Sequence, residues 1–122
     1  MKNDSTVPLN DLKSDIQFFC SARDWDQFHS AKDLAIGLVT EASELLELFR
    51  FQTDAQVAAL LENPASRSEI SDELADALFF ILRFSQKYGF DLTKALNAKM
   101  KKNGDKYPVE RAKGSNLKYN KA

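Results

Sequence analysis

The sequence has 122 residues, of which 43% are hydrophobic and 29% are charged, and Gly and Pro together contribute only seven. This length predicts one domain, and the composition excludes collagenous, low-complexity and intrinsically disordered chains. No apolar run is long enough to span a membrane, and the first residues lack the apolar stretch of a secretory leader, so we expect a soluble, cytoplasmic protein. The single cysteine, Cys20, follows two phenylalanines, which predicts a buried and unreactive thiol.

The net charge of −1 conceals a separation of charge along the chain. Residues 1–98 contain 9 Lys or Arg against 16 Asp or Glu, whereas residues 99–122 contain 8 against 2. Duplex DNA binders carry positive charge on the folded domain, so an acidic body with a basic end argues against that class. The pattern suits a polyanion bound through metal ions and covered by the basic end, although a merely solvated tail explains the charge alone at least as well.

Apolar residues recur at three- and four-residue spacing along most of the chain, which predicts an all-α protein with a four-helix-bundle-like fold. The first helix is expected over Leu9–Asp24 and is followed by a connector over Trp25–Ser30. Ser30 then caps a second helix that runs to Phe49.

A short helix and a third long helix are expected next. Thr53 opens the short helix, which Pro64 ends. Ser66, with Glu69 three residues later, opens the third long helix, which ends at Gly89.

Asp91 caps a fourth helix over Leu92–Asn103, which Gly104 closes. The remaining residues contain Pro and Gly and predict an extended arm. We therefore expect a single domain over residues 1–122, with a helical core over about 9–103 and a basic C-terminal arm over 104–122.

Carboxylates interrupt the apolar faces of the second and third long helices. At about 100° per residue, Glu41 falls within the apolar stripe of its helix and Glu44 at the edge of that stripe. Glu73 and Asp76 repeat this arrangement on the third long helix. Burying several carboxylates without counter-charge is costly, and these faces offer nothing basic, so the pattern predicts a site for a hard divalent cation such as Mg²⁺.

The sequence offers two alternatives to a magnesium site. If the helical register is shifted by one or two residues, the acids form a solvated face instead. A di-iron bundle needs Glu-x-x-His pairs, and the only histidine, His29, lies in the connector, which excludes that metal site.

With these acids, the sequence resembles the all-α NTP pyrophosphohydrolases of the MazG-like and dCTP pyrophosphatase type. The resemblance rests first on Glu41-x-x-Glu44 and Glu73-x-x-Asp76, which are separated by 28 residues. Three further stretches make it specific, and in their order they are closest to the dCTP pyrophosphatase branch: Arg23 to His29, Lys99 to Pro108, and Ala112 to Tyr119. Together they extend over about residues 9–119.

The resemblance implies an enzyme that hydrolyses a nucleoside triphosphate to the monophosphate and pyrophosphate with Mg²⁺. The likeliest substrate is dCTP or a modified dCTP, and the implied role is housecleaning of the nucleotide pool. Glu41, Glu44, Glu73 and Asp76 would hold the ions and form the catalytic centre. Either Glu41 or Glu44 would take the proton of the attacking water.

The resemblance also implies residues that bind the substrate. Trp25 and His29 match positions that hold the nucleobase, although Trp25 could equally pack at a helix end. Contacts to phosphate, sugar and base are expected from Lys99, Asn103, Lys106 and Tyr107. Phe51 and Phe80 replace a Trp and a Tyr of the family, which makes base selectivity less certain than the metal chemistry.

The third long helix is apolar nearly all round, with Phe79 and Leu82 opposite Glu73, and this predicts a homo-oligomer that covers it. The resemblance suggests dimers that often pair into tetramers. Neither a nucleic-acid nor a membrane partner is expected. The alternative function is a non-catalytic helical module that binds a nucleotide or another protein.

Overall fold

The computed structural model describes residues 1–121, and over these residues it contains α-helices, a short 3₁₀ turn and no strand, which confirms the all-α prediction. The helices are α1 (Leu9–Ala22), α2 (Ala31–Phe49), α3 (Asp54–Glu62), α4 (Pro64–Tyr88), α5 (Leu92–Lys106) and α6 (Val109–Ala112), and the 3₁₀ turn is Asp26–Phe28. The chain divides into two compact units, residues 1–89 and the residues from Phe90 onward. A single domain over the whole chain stays a prediction.

Side chains cap three of the helices at the residues that the sequence predicts. The Ser30 side chain accepts a hydrogen bond from the backbone N–H of Asp33 at the start of α2. Thr53 and Gln56 form a reciprocal capping box at the start of α3. The Asp91 side chain accepts a hydrogen bond from the backbone N–H of Lys94 at the start of α5. These caps satisfy backbone N–H groups that have no partner within the helix.

The start of α4 differs from the prediction. The helix begins at Pro64, and its cap is Asn63, whose side chain accepts hydrogen bonds from the backbone N–H groups of Ala65 and Ser66. Proline suits the first helical position because it lacks an N–H that would need a partner there. The Ser66 hydroxyl instead donates to the backbone carbonyl of Leu60, 2.6 Å away. Pro64 therefore opens α4 and does not merely end α3.

The glycines behave differently at the two predicted helix ends. Gly89 follows α4 with a φ of 77°, the left-handed conformation that glycine adopts without a Cβ clash. Gly104 does not end α5, which continues to Lys106, because a glycine inside a helix costs only about 1 kcal/mol relative to alanine. The predicted extended arm also contains the short helix α6. At the other end of the chain, α1 stops at Ala22, two residues before its predicted end.

In the first unit, α4 packs against α1, α2 and α3. The buried apolar side chains of this unit include Leu34 of α2 and Ile70 and Leu82 of α4. Cys20 is also fully buried, and burial raises the pKa of its thiol, as expected of an unreactive cysteine. No helix within residues 1–121 is long and apolar enough to cross a membrane.

Phe79 and Leu82, the side chains of α4 that were expected to need a covering partner, are not the ones that are exposed. Leu82 is buried and Phe79 is half-buried inside the first unit. Other apolar side chains of α4 face solvent, because α1, α2 and α3 cover only part of its circumference: Leu74 is 53%, Leu78 43% and Ile81 39% exposed.

Candidate functional site

The packing of α4 against α2 brings four carboxylates together. Each of Glu41, Glu44, Glu73 and Asp76 offers an oxygen, and these oxygens all lie within 4.8 Å of one another. Glu41 and Glu73 are half-buried, whereas Glu44 and Asp76 are exposed. The inward member of each pair is thus the one that the helical period places in the apolar stripe. We call these four residues the acidic cluster.

Two carboxylate oxygens of the acidic cluster have no hydrogen-bond partner. Oε2 of Glu41 and Oε2 of Glu73 are buried without a hydrogen-bond partner. Burial, followed by the neighbouring Glu44, raises the pKa of Glu41 to about 7. The same two causes raise the pKa of Glu73. Unpaired buried carboxylate oxygens in an all-oxygen donor set fit a hard divalent cation, and the residues present are suited to hold one.

A pocket of about 500 Å³ adjoins the cluster in the first unit. Its walls are mainly aromatic and aliphatic, and they consist of Asp15, Ile16, Phe19, Trp25, Glu41, Asp76, Phe79 and Phe80. Glu41 and Asp76 belong to both the pocket and the acidic cluster. A ligand in this aromatic pocket could therefore stack a flat ring on its walls and place an anionic group at a cation held by the cluster.

The aromatic walls are held by edge-to-face contacts and by one close approach to backbone. The ring centroids of Phe19 and Trp25 are 5.6 Å apart, and those of Phe79 and Phe80 are 5.4 Å apart. The Phe80 ring also lies against Gly37 of α2, where a Cβ would come within 2.3 Å of Cε1 of that ring. Only glycine at position 37 leaves the Phe80 ring in this place.

Arg83 of α4 forms hydrogen bonds and an ion pair with the connector that contains Trp25. This arginine is 1% exposed. Its Nε donates to Nδ1 of His29 over 3.0 Å, and its Nη1 donates to the side chain of Gln86 over 2.6 Å. Its Nη2 forms an ion pair with Asp26. The buried guanidinium is therefore paired and hydrogen-bonded, as a buried charge must be.

Lys87 adds a second attachment, since its Nζ donates to the backbone carbonyls of Asp26 and His29. The hydrogen bond from Arg83 lowers the pKa of Asp26. Burial, together with the charges of Arg83 and Lys87, lowers the pKa of His29, which favours a neutral imidazole. Because Nδ1 of that imidazole accepts from Arg83, its proton resides on Nε2.

Trp25 and His29, the two residues predicted to hold the base, differ in their position relative to the pocket. Trp25 lines the pocket, whereas His29 is not among the lining residues and contacts Trp25 with ring centroids 6.0 Å apart. Phe51, which replaces a family Trp, is 88% exposed and has a φ of 64°. A role of His29 in binding a base stays a prediction.

The remaining predicted substrate contacts lie in the second unit. Lys99 and Asn103 are on α5, Lys106 is in its last turn and Tyr107 follows it. The Tyr107 ring meets Tyr119 edge to face at 5.9 Å, and Nζ of Lys106 lies 5.1 Å from the Tyr119 ring centroid.

Several residues of the site were not predicted from the sequence, among them the pocket-lining Ile16, Phe19 and Phe79 as well as Arg83 and Asp15. A signal for Arg83 was available, because it is a lone charge in the apolar stretch Ala77–Phe84 of α4. Asp15 gave none, since an acid on the polar side of an amphipathic helix is ordinary.

The fold and the site define an all-helical protein with an acidic cluster beside an aromatic pocket. The model of the MazG-like family matches residues 36–121. The chain belongs to this family.

Curated relatives and a solved structure agree with this assignment. The chain is 35% identical over 111 residues to dCTP pyrophosphatase 1 of Rattus norvegicus, and 34% identical over 111 residues to that of Homo sapiens. Each alignment covers 91% of this chain and 65% of the relative, so the chain spans about two thirds of the length of these relatives. The crystal structure of a pyrophosphatase from Archaeoglobus fulgidus aligns with a TM-score of 0.78 and 28% identity, over 88% of this chain and 99% of that one.

Proposed function

We propose that this protein is a Mg²⁺-dependent nucleoside triphosphate pyrophosphohydrolase, which converts a dNTP and water into a dNMP and pyrophosphate. The observation that carries this proposal is the pair of buried, unpaired oxygens of Glu41 and Glu73 in an acidic cluster that adjoins an aromatic pocket. A pocket that joins ring-stacking walls to a cation site matches a nucleotide, which has a flat base and a polyanionic end. The names of the relatives, dCTP pyrophosphatase 1 and pyrophosphatase, support the same reaction and favour dCTP.

In this proposal Glu41, Glu44, Glu73 and Asp76 hold the magnesium. When bound, the cation neutralises phosphate charge and lowers the pKa of a coordinated water. Glu41 and Asp76 also line the pocket, so they orient the phosphate end of the nucleotide toward the cluster. A carboxylate of the second helix, from Glu41 or Glu44, takes the proton of the water that attacks the α-phosphorus as pyrophosphate leaves.

The base stacks against the aromatic walls, to which Phe19, Trp25 and Phe80 contribute. We further propose that phosphate and sugar contacts come from the second unit, through Lys99, Asn103, Lys106 and Tyr107. The physiological role that follows is removal of dCTP or a modified dCTP from the nucleotide pool.

We also propose that the protein is a homo-oligomer. Apolar side chains at helical spacing face solvent on α2, where Ile36 is 53%, Val39 66% and Leu46 61% exposed. The exposed leucines and isoleucine of α4 form a similar stripe. Such contiguous apolar surface is typical of an interface, and a second copy of the chain would cover it.

A panel of the four natural dNTPs tests the proposed function. Turnover is measured as phosphate released by an added inorganic pyrophosphatase, with Mg²⁺ and with EDTA, and chromatography identifies the monophosphate product. We expect Mg²⁺-dependent formation of dNMP, with dCTP the best substrate. Binding of nucleotides without turnover would instead favour the non-catalytic module, and direct release of phosphate without the added enzyme would exclude pyrophosphate as the product.

A further inference from the structure

We infer that Asp15 determines which bases the pocket accepts, by taking a hydrogen bond from an exocyclic amino group such as those of cytosine and adenine. This inference rests on the proposed function, because it assigns the base-selecting group of the same pocket. Asp15 lies on α1, a different helix from the acids of the cluster, and it is one of the residues that line the pocket.

The polar groups of the pocket wall are few, and the other acids have a different task. Glu41 and Asp76 offer oxygens to the cation site, whereas Asp15 is outside the acidic cluster. The remaining walls are rings and aliphatic chains, apart from the indole N–H of Trp25. Asp15 is therefore the carboxylate in the wall that is not committed to a cation.

The position of Asp15 assigns it to the base and not to the phosphates. A triphosphate cannot approach a carboxylate without a cation between them, and Asp15 is not a member of the acidic cluster that is suited to hold one. With the phosphate end drawn to the cation at Glu41 and Asp76, the group left to meet Asp15 is the base. The aromatic walls, which include Phe19 of the same helix, favour a flat ring in that part of the pocket.

The chemistry of an ionised carboxylate gives the direction of selection. It accepts hydrogen bonds and donates none, so it matches an amino group and opposes a carbonyl oxygen. Cytosine and uracil differ at this point, since an amino group on the first is replaced by a carbonyl on the second, and adenine and hypoxanthine differ in the same way. Asp15 would thus attract one member of each pair and repel the other.

The Asp15 side chain is available for such a contact. It is 58% exposed, and its partner in the structure is the ammonium of Lys2, 3.4 Å away, which is itself 77% exposed. An exposed ion pair of this kind contributes little to stability, so an amino group of a bound base can replace Lys2 at little cost. Substitution of Asp15 should likewise leave the fold intact.

The test compares kcat/KM for two isosteric pairs, dCTP with dUTP and dATP with dITP, in the wild-type protein, Asp15→Asn and Asp11→Asn. The asparagine amide can donate to a carbonyl, so Asp15→Asn should lower the preference for the amino member of each pair by roughly tenfold. Asp11→Asn makes the same change of charge one turn earlier on α1, outside the pocket wall, and should leave both ratios unchanged.

A binding measurement separates failure of this inference from failure of the proposed function. Calorimetry with the α,β-imido analogues of dCTP and dUTP in Mg²⁺ should show the same loss of preference in Asp15→Asn. Equal ratios in wild type and Asp15→Asn, in a protein that still binds or hydrolyses dNTPs, would overturn the role of Asp15 and leave the proposed function standing. If no dNTP is hydrolysed and neither analogue binds, both are wrong.

Discussion

Nε of Arg83 donates to Nδ1 of His29 across 3.0 Å, a contact that joins the C-terminal part of α4 to the connector before α2. The same guanidinium pairs with Asp26 one turn earlier in the connector. Since Trp25 precedes Asp26, this buried arginine fixes the segment that supplies one wall of the aromatic pocket. The position of this wall therefore depends on the ion pair between Arg83 and Asp26.

The first prediction is that removing Asp26 is more harmful than removing Arg83, although Asp26 is the more exposed partner. The Asp26 side chain is 63% exposed and can be solvated, whereas that of Arg83 is 1% exposed. Asp26→Ala leaves a buried charge without its counter-ion and should lower the free energy of unfolding by more than the Arg83 substitution does. Arg83→Met removes that charge and should cost about 1 kcal/mol. Urea denaturation measures both values.

The double variant is the control for this prediction. Arg83→Met with Asp26→Ala should be no less stable than Arg83→Met alone, because no buried charge remains in it. If Asp26→Ala proves as stable as the wild type, the ion pair does not hold the connector.

The acidic cluster was predictable because it depends on local geometry. The 100° helical period places Glu41 and Glu73 in apolar stripes whatever the rest of the fold does, and two amphipathic helices bury those stripes against each other. The caps at Ser30 and Asp91 are equally local. The prediction that α4 begins at Ser66 was wrong because Ser66 and Asn63 are both good cap residues. The proline after Asn63 favours a helix start at Pro64.

The pocket wall could not be predicted in the same way, because it depends on the path of the connector. The contact between Arg83 and His29 joins residues 54 positions apart, and no helical periodicity relates them. Whether Asp15 faces solvent or a pocket depends on where the rings of α4 lie relative to α1. The sequence shows Phe80 where the family resemblance implies a Tyr, but it does not show that the Phe80 ring lies against Gly37.

The second prediction concerns the proposed ligands of the cation. Glu73→Gln keeps the shape of the side chain but removes an anionic oxygen from the cluster. Loss of groups that only support a metal ligand already costs about 10- to 100-fold in metal affinity or activity, so kcat/KM with Mg²⁺ should fall by more than this. Calorimetric titration with Mn²⁺ should show the same loss of binding.

Glu69→Gln is the matched control for the second prediction, because Glu69 is exposed one turn earlier on the same helix, outside the cluster. It should retain activity. In EDTA, Glu73→Gln should melt at a higher temperature than the wild type, since one of the repelling charges is gone. Near-normal turnover by Glu73→Gln would contradict the proposed site.

The third prediction is that, in the absence of divalent cations, the contribution of Glu41 to stability decreases as the pH rises. The folded protein holds the pKa of Glu41 at about 7, above its ordinary 4.5, so between these values the folded state binds more protons than the unfolded chain. This contribution is fully present below about pH 4.5 and is lost as the pH rises through 7. The nearby charges of Glu44, Glu73 and Asp76 act in the same direction.

Comparison with Glu41→Gln isolates this effect, because the glutamine does not titrate. In EDTA, the variant should be more stable than the wild type at about pH 8, and the difference should shrink steadily toward about pH 5. His29, whose lowered pKa has the opposite influence, is present in both proteins and cancels in the difference. Denaturation curves at intervals of one pH unit measure the difference in stability between the two proteins. A difference that does not vary with pH would show that Glu41 does not titrate with a raised pKa in the folded protein.

The fourth prediction is that Gly37 sets the position of the Phe80 ring and hence one wall of the pocket. Gly37→Ala would place a Cβ 2.3 Å from the Phe80 ring, so the ring or the helix must move. Such overpacking costs about 1 to 3 kcal/mol of stability. Because Phe80 lines the pocket, KM for dNTPs should rise more than kcat falls.

Two further variants make this fourth prediction specific. Gly37→Ala combined with Phe80→Leu should regain most of the lost stability, since the smaller side chain leaves room for the new methyl group. Gly104→Ala makes the same substitution inside α5 with nothing within 4 Å of the new Cβ, and there it should raise the free energy of unfolding by about 1 kcal/mol. Unchanged stability and unchanged KM in Gly37→Ala would mean that the close approach of Phe80 to α2 does not shape the pocket.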